Sequence, residues 1–570
     1  MYKFSNKKRS YLSTPWTLNT SYCTIPERLR LIGKQNPDKE ALIFVGEKHR
    51  TSVTYKEVVD GSTIISRKML KMGIKKKDVV AIHDDKSPNW LFYTFGAQMC
   101  GAWPLHFYFQ RNDGSDVSAI LKESGCKAVI SQPGEGDEYV QIMKSFIQFN
   151  EDGTVQSDAV PSLKQVLFSR KPEILRYGLT FDDISPSSEK ELPEVEPEDV
   201  AAIFCSSGST GPPKLIPWNH HNLINTNVSI IEAAGIKNDE SIFCPRTFGW
   251  VGGYPRELFI GMPRVTNSTT FKEQNVKDIA DATVKIVNQE NCKHVVLFSS
   301  TVDELLKGNY RMKPVETIMS SGGPMSVKDP KVLERLCKKF INLYGSTESG
   351  ALAMKIFTIK EGMRNNEAGL PLHGIDIKVV NKEDRLCEVG NVGEVNVRNR
   401  SSSTGYLHEE QDWHKSCRIE GYWFKTGDVG YVSEDGHLFV TGRISESIII
   451  DGNMVSPSHF EDILMKHPSL EGAVAFGMPD EFLHEVACVA IVIREGMLAT
   501  TEELLVFYRN EISLNGNDTF IASKFDKLRI IFFDTFPMTS SGKIARKLVK
   551  EMSFKILKEG RIKDIDGINF

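Results

Sequence analysis

The sequence predicts an α/β protein: a large N-terminal domain of two βαβ-type subdomains plus a small β-rich subdomain, followed by a small α+β C-terminal domain. Three observations carry this. Helix-like and strand-like segments alternate over residues 53–131 and again over 279–344, which is the pattern of βαβ units and a largely parallel sheet. Short strands punctuated by Gly, Asn and Asp follow residue 375, and a new set of strands and helices with its own core begins at Ser445. At 570 residues the chain is too long for one ordinary domain.

The elements justify this in order. Val53-Thr54-Tyr55 leads into a helical stretch reaching Met72, residues 78–82 read as a strand, 90–101 as a helix and 128–130 as a short buried strand. Residues 182–197, acidic and proline-containing, form a surface loop ahead of the apolar run 200–204. Later, 279–290 is helix-like, 294–298 strand-like, 331–339 helix-like and 340–344 strand-like. Past 375, the segments 375–380, 393–397 and 438–441 suggest a small antiparallel subdomain. Beyond it, 448–450, 473–477 and 487–493 read as strands and 457–467 and 502–511 as helices. The boundary falls at Arg443-Ile444, giving domains 1–443 and 444–570.

Composition narrows the function classes. Apolar residues make up 40% and aromatics 9%, ample for several cores. The net charge of -4 shows no basic excess suited to nucleic acid. Ten scattered cysteines, without a Cys-x-x-Cys pair or zinc spacing, suit a reducing compartment. No apolar run approaches the ~20 residues of a bilayer span, so no transmembrane segment is expected. The first 26 residues carry Lys3, Lys7, Lys8 and Arg9 and no acid, which fits either a mitochondrial presequence or a plain basic terminus; Pro15 favours the latter. The final Ile568-Asn569-Phe570 is not a peroxisomal address. The expected setting is intracellular, cytoplasmic or mitochondrial, with the oligomeric state open.

Three segments carry chemistry. Ser206-Ser207-Gly208-Ser209-Thr210-Gly211-Pro212-Pro213-Lys214 places hydroxyls, glycines and an ammonium after an apolar strand, a composition suited to a polyphosphate. A Ser/Gly stretch alone fits a flexible linker equally well; the strand before it and the terminal Pro-Pro-Lys favour the phosphate loop. It is not the usual nucleotide P-loop, because the spacing differs and Pro212-Pro213 disfavour an immediate helix. Tyr344-Gly345-Ser346-Thr347-Glu348 follows an apolar strand, so it occupies the carboxyl edge of a parallel sheet, where open α/β folds bind ligands. There an aromatic face stacks a base and Glu348 holds Mg2+ through oxygen, although a strand ending in a polar turn is also common. Thr426-Gly427-Asp428 offers a carboxylate to ribose hydroxyls, or is simply a turn.

In fixed order, these segments with Gly442-Arg443 and Pro537-Met538-Thr539-Ser540-Ser541-Gly542-Lys543 resemble the adenylate-forming, AMP-binding superfamily of acyl-CoA synthetases, adenylation domains and luciferases. The likeness runs from about Pro37 to Lys550, and residues 11–44 look most like the medium-chain fatty-acyl-CoA synthetase branch. It implies a two-step reaction: a carboxylate attacks the α-phosphate of ATP to give acyl-AMP and pyrophosphate, then a thiol, usually that of coenzyme A, displaces AMP.

It also implies roles. Lys543 bridges the incoming carboxylate and the α-phosphate, where negative charge builds in the transition state. The Ser206 to Lys214 loop holds the departing phosphates, and Thr347 and Glu348 place Mg2+ and the α-phosphate. Tyr344 and Gly322-Gly323-Pro324 enclose adenine; Asp428 and Arg443 bind the ribose. A C-terminal domain that moves between half-reactions is implied as well.

The sequence departs from the family in four places. Leu215 replaces the glycine after the loop lysine. Phe248, in Pro245-Arg246-Thr247-Phe248-Gly249-Trp250-Val251-Gly252-Gly253, stands where a histidine is usual in the substrate pocket, which Trp250 and Gly252 would also line. Ser445 takes the hinge position usually held by Asp or Lys, and Asp451-Gly452-Asn453-Met454 leaves only Gly452 of the usual coenzyme A tunnel text. The leading expectation is an ATP-dependent carboxylate–CoA ligase acting on a fatty or aromatic acid. A stand-alone adenylating or luciferase-like enzyme, or a nucleotide-binding paralogue without catalysis, is the alternative; retention of Lys214 and Lys543 speaks against the last.

Overall fold

Residues 79–83 show how the sequence builds this fold. Val79 and Ala81 face one buried layer, Val80 and Ile82 the other, so a short apolar run without polar alternation becomes a strand covered on both sides. The structure is a computed structural model that describes residues 9–558 apart from 48, 85, 108–113, 176, 188–190, 207–213, 269–275, 322–329, 358–363, 404, 408–417, 420–421, 451–452, 481–483, 516–527 and 538–543. Its contacts divide into two compact units, residues 12–377 with 397–424, and residues 1–11 with 378–396 and 425–570.

The larger unit contains two mainly parallel sheets. One runs in the order Leu179–Thr180, Gln165–Phe168, Ala128–Ser131, Val79–His83, Trp103–His106, Val200–Cys205, Leu215–Asn219, with only the last pair antiparallel. The other places Arg50–Thr54, Glu40–Val45, Arg264–Asn267, Ile242–Phe243, His294–Leu297, Val315–Ser321, Cys337–Ser346 and Gly350–Phe357 side by side. From Glu40–Val45 through Cys337–Ser346 the neighbours are parallel, and an antiparallel hairpin closes each end.

Helices pack between the sheets. Ile25–Gln35, Tyr55–Lys71, Pro88–Met99 and His220–Ala234 contribute Leu29, Val58, Leu91 and Leu223 to one core with Leu42 and Phe44 of one sheet and Val80 and Ile82 of the other. Two of these helices start at capping boxes, Thr24 with Glu27 and Thr54 with Glu57, which satisfy orphan N–H groups at the first turn. Ser87 caps the third with Pro88 following it, so the expected helix at 90–101 begins earlier, at Pro88. The outer faces are covered by Ser115–Glu123 and Glu138–Lys144 on one sheet and by Val276–Glu290 and Ser299–Lys307 on the other.

One element differs from expectation. Residues 331–339 do not form a helix: a 3-10 turn, Pro330–Arg335, ends where the strand Cys337–Ser346 begins. Cys337 pairs with Val315 and Phe340 with Ile318, and burial of both in the sheet core outweighs the local helical pattern.

Trp423–Val432, which enters the smaller unit at Lys425, forms an antiparallel hairpin with Leu438–Arg443. The C-terminal part carries a sheet in the order Asn453–Val455, Ile448–Ile450, His484–Ile493, Leu470–Asp480, with Arg529–Phe533 parallel to His484–Ile493. Helices Pro457–Leu464 and Thr501–Asn515 bury Phe460, Leu464, Leu504 and Tyr508 against one face, and Val549 of Arg546–Lys558 meets the other. The nine described cysteines are free thiols. Among the described residues no helix is long and apolar enough to cross a membrane.

Candidate active site

The phosphate-loop segment leaves one buried strand and re-enters another. Val200–Cys205 and Leu215–Asn219 are antiparallel with Cys205 opposite Leu215, and Leu215 is buried. At the mouth, the Ser206 N–H donates to Lys214 O at 2.9 Å, and the Lys214 N–H donates to Ser206 Oγ at 3.1 Å. Ser206 and Lys214 therefore stand side by side as the base of the loop, in a strand–loop–strand setting unlike the strand-to-helix P-loop. Ser207, Gly208, Ser209, Thr210 and Gly211 lie outside the described residues. Burial pushes the neighbouring Cys205 thiol up to about 12, which keeps it protonated and inert.

The Tyr344 to Glu348 segment forms the tip of the hairpin between Cys337–Ser346 and Gly350–Phe357. Gly345 allows the two strands to close, since a Cβ there would lie 2.1 Å from Gly350 O. Three consecutive carbonyls of the tip are fixed by donors from elsewhere in the unit. Trp218 Nε1 donates to Thr347 O at 2.9 Å, the Ser403 N–H to Glu348 O at 3.0 Å and Asn399 Nδ2 to Ser349 O at 2.7 Å. With its backbone held this way, the turn presents Thr347 and Glu348, both part-exposed, in a set orientation.

Tyr406 joins the two segments. Its hydroxyl donates to Glu348 Oε1 at 3.2 Å, and its ring lies 4.4 Å from Lys214 Nζ. The Leu407 N–H donates to Leu215 O at 2.9 Å, which seats Tyr406 beside the loop exit. Tyr406, Trp218, Asn399 and Ser403 had no assigned role in the sequence. The one local signal was Tyr406-Leu407, an apolar pair ending a Ser/Gly-rich run. Among the described residues no cluster of three His, Cys, Asp or Glu side chains gathers for a metal. Glu348 as one carboxylate ligand fits Mg2+, which takes one or two carboxylates and completes its shell with phosphate oxygens and water.

In the smaller unit, Asp428 and Arg443 are cross-strand partners, with Arg443 Nε 2.8 Å from Asp428 Oδ1. Gly427 at φ +70 gives the left-handed turn that presents Asp428, whose N–H is held by Thr426 Oγ1 at 3.0 Å. Arg443 Nη1 also donates to Thr426 O at 2.9 Å. The carboxylate is buried and the guanidinium half-exposed, so a neutral diol meeting Asp428 finds it already oriented. Ser445 is exposed within the 3-10 turn Ile444–Glu446 directly after Arg443.

On the substrate side, Phe248 is packed in the core against Trp90 and Phe44, with ring centroids 5.2 and 6.3 Å away. Phe248 is buried, while Trp250 and Gly252 are part-exposed. Trp250 sits 5.5 Å from Phe298. Gly322, Gly323, Pro324, Gly452 and Lys543 lie outside the described residues, and Tyr344 is part-exposed on its strand.

An AMP-binding enzyme family model matches residues 30–407, and the model of the AMP-binding enzyme C-terminal domain matches 459–543. Among curated relatives, 4-coumarate–CoA ligase 1 of Solanum tuberosum is 28% identical over 524 residues, spanning 87% of this chain and 88% of the relative. The mitochondrial medium-chain acyl-CoA ligase ACSF2 of Mus musculus is 24% identical over 569 residues, spanning 94% and 88%. Among solved structures, the anthranilate CoA ligase AuaEII in complex with anthranoyl-AMP superposes with TM-score 0.75 at 18% identity, covering 94% of this chain and 98% of that one. The amide bond synthetase McbA from Marinactinospora thermotolerans gives TM-score 0.75 at 20% identity, covering 93% and 99%. The chain belongs to the AMP-binding enzyme family, the adenylate-forming superfamily to which acyl-CoA synthetases belong.

Proposed function

We propose that the protein is an ATP-dependent carboxylate–CoA ligase that converts a fatty or aromatic acid to acyl-AMP and then to acyl-CoA, releasing pyrophosphate and AMP. The observation that carries this is the contact chain Lys214–Tyr406–Glu348, which brings the loop lysine and the turn carboxylate to one place at the carboxyl edge of the parallel strands.

The chain's own groups then divide the work. Ser206 and Lys214, with Ser207, Gly208, Ser209, Thr210 and Gly211 between them, grip the β- and γ-phosphates, the side of ATP that leaves. Glu348 and Thr347 hold Mg2+ and the α-phosphate; the ion, when bound, neutralises charge on the phosphate oxygens. Asp428 accepts from the ribose hydroxyls with Arg443 orienting it, and Tyr344 with Gly322-Gly323-Pro324 takes the adenine. Lys543 offsets the charge that builds as the acid's carboxylate attacks phosphorus. Ser445 serves as hinge, Gly452 lines the approach of the thiol, and the domain boundary is placed at Arg443-Ile444. The free thiols lead us to place the protein inside the cell, in cytoplasm or mitochondria.

A second reading is adenylation with transfer to an acceptor other than coenzyme A; the fold shared with an amide bond synthetase favours keeping it. One experiment separates them: pyrophosphate and AMP release over a panel of acids, with and without coenzyme A, with acyl products read by mass spectrometry. Acyl-CoA formation supports the ligase. Acyl-AMP without acyl-CoA selects the second reading, and silence with every acid leaves a nucleotide-binding protein without this activity.

A further inference from the structure

We infer that Arg246 receives an anionic group at the far end of the acid, so that the preferred substrates are carboxylic acids bearing a second carboxylate; this rests on the ligase reading above.

Arg246 is 2% exposed. Nη1 donates to Ser321 Oγ at 2.9 Å, and Nη2 to Leu297 O at 2.6 Å and Ser321 O at 3.2 Å. A guanidinium carries five N–H donors, and its buried Nε–H has no acceptor among the described residues. Among the described residues every acceptor it has is a neutral oxygen. The carboxylate acting on it, Glu257, is already engaged by Arg264 at 3.4 Å. Aromatic faces complete its surroundings, Phe298 at 4.3 Å and Trp250 at 5.3 Å. Burial, reinforced by the positive charges of Arg264 and Arg256, lowers the group to about 10, so it remains charged at neutral pH. Lys86, also buried, donates to Pro245 O of the same segment at 2.8 Å and to Asn267 Oδ1.

A buried charge without a counter-charge is costly, and the cost falls when a ligand supplies the opposite sign. Position says which part of the ligand arrives there. Leu297 and Ser321 end two adjacent parallel strands, and the next strand in the sheet, Cys337–Ser346, leads to Thr347 and Glu348. Ser321 lies opposite Leu343, one strand spacing across and three residues short of Ser346, a separation on the order of 11 Å, and Leu297 lies further back, level with Asn342 by way of Ser320. An acid whose reacting carboxylate lies near Glu348 thus meets Arg246 with its opposite end, its body passing part-exposed Trp250.

The test compares matched pairs: hexanoate with hexanedioate, octanoate with octanedioate, cinnamate with 4-carboxycinnamate. For each, kcat/KM of acid-dependent pyrophosphate release is measured with the wild type, Arg246→Met and Arg246→Lys. At least one diacid is expected to exceed its partner in the wild type. In Arg246→Met the diacid-to-monoacid ratio should fall about 30-fold or more, mostly through the KM of the diacid, because one partner of a buried charge pair is lost. Arg246→Lys should keep part of the ratio. A wild type that prefers every monoacid, or a ratio unmoved in Arg246→Met, overturns the inference while leaving the ligase reading standing. Should the methionine variant not fold, the wild-type ranking decides alone. Silence with all acids overturns both.

Discussion

The hydroxyl of Tyr406 donates to Glu348 Oε1 at 3.2 Å while its ring lies 4.4 Å from Lys214 Nζ. One side chain thus touches the carboxylate assigned to Mg2+ and the lysine assigned to the leaving phosphates. Tyr406→Phe removes the first contact and keeps the second; Tyr406→Leu removes both. A hydrogen bond to a charged group contributes about 1.5–3 kcal/mol, so Phe should lower kcat/KM for ATP roughly ten- to a hundredfold and raise the Mg2+ concentration needed for half-maximal rate. Leu should lower it further. Wild-type Mg2+ titrations in both variants would remove Tyr406 from the site.

Asp428 and Arg443 face each other across the hairpin at 2.8 Å. Arg443→Met frees the carboxylate from its orienting partner, and the expected result is an ATP KM raised about tenfold, with the acid KM unaffected. Steady-state kinetics in each substrate reads this directly, and a selective rise in acid KM would contradict the ribose assignment.

Lys543→Ala should reduce acyl-AMP formation by about 10²–10³, the usual cost of losing one preorganised charge-stabilising donor. ATP binding, followed by calorimetry, should be largely retained. Near-normal adenylation in this variant would refute the role.

Ser445 is exposed in the turn after Arg443. Proline there fixes one backbone dihedral and stiffens the segment, so Ser445→Pro should slow thioester formation more than adenylation in single-turnover measurements of the two half-reactions. Equal losses would count against a hinge.

Burial lowers His106 and His220 from 6.5 to about 3. In the unfolded chain each binds a proton below about 6.5, whereas in the folded protein each stays neutral. Stability is therefore complete above pH 6.5 and falls as pH drops toward 3, by up to about 1.4 kcal/mol per pH unit for each histidine. His106 stacks on Trp90 at 4.7 Å, and neither of its ring nitrogens has a partner among the described residues. His106→Phe should flatten the acid side of a urea-midpoint profile; an unchanged slope would exclude His106 as a source.

The α/β architecture was legible because buried parallel strands are written as unbroken apolar runs, as at residues 79–82 and 200–204, and helices by caps such as Thr54 with Glu57. The helix expected at 331–339 failed because periodicity there could not register the pull of a parallel neighbour, Val315–Ser321. The site was readable where a motif is contiguous, as from Ser206 to Lys214. It was not readable where a residue acts across the fold: Tyr406 lies 58 positions from Glu348, and Trp218 reaches Thr347 across 129. Nor does a sequence say that an arginine is buried with only neutral acceptors among the described residues, which is what singles out Arg246.

The sheet order also bears on how the protein is made. Leu42 pairs with Arg264 and Phe44 with Thr266, so the apolar strand Glu40–Val45 leaves the ribosome long before that partner exists. At 5–20 residues per second the wait is on the order of ten seconds or more. Over that time only the hairpin partner Arg50–Thr54 shields one edge of the strand. Nascent chains stalled before residue 264 should therefore be more dependent on chaperones than chains that have passed it.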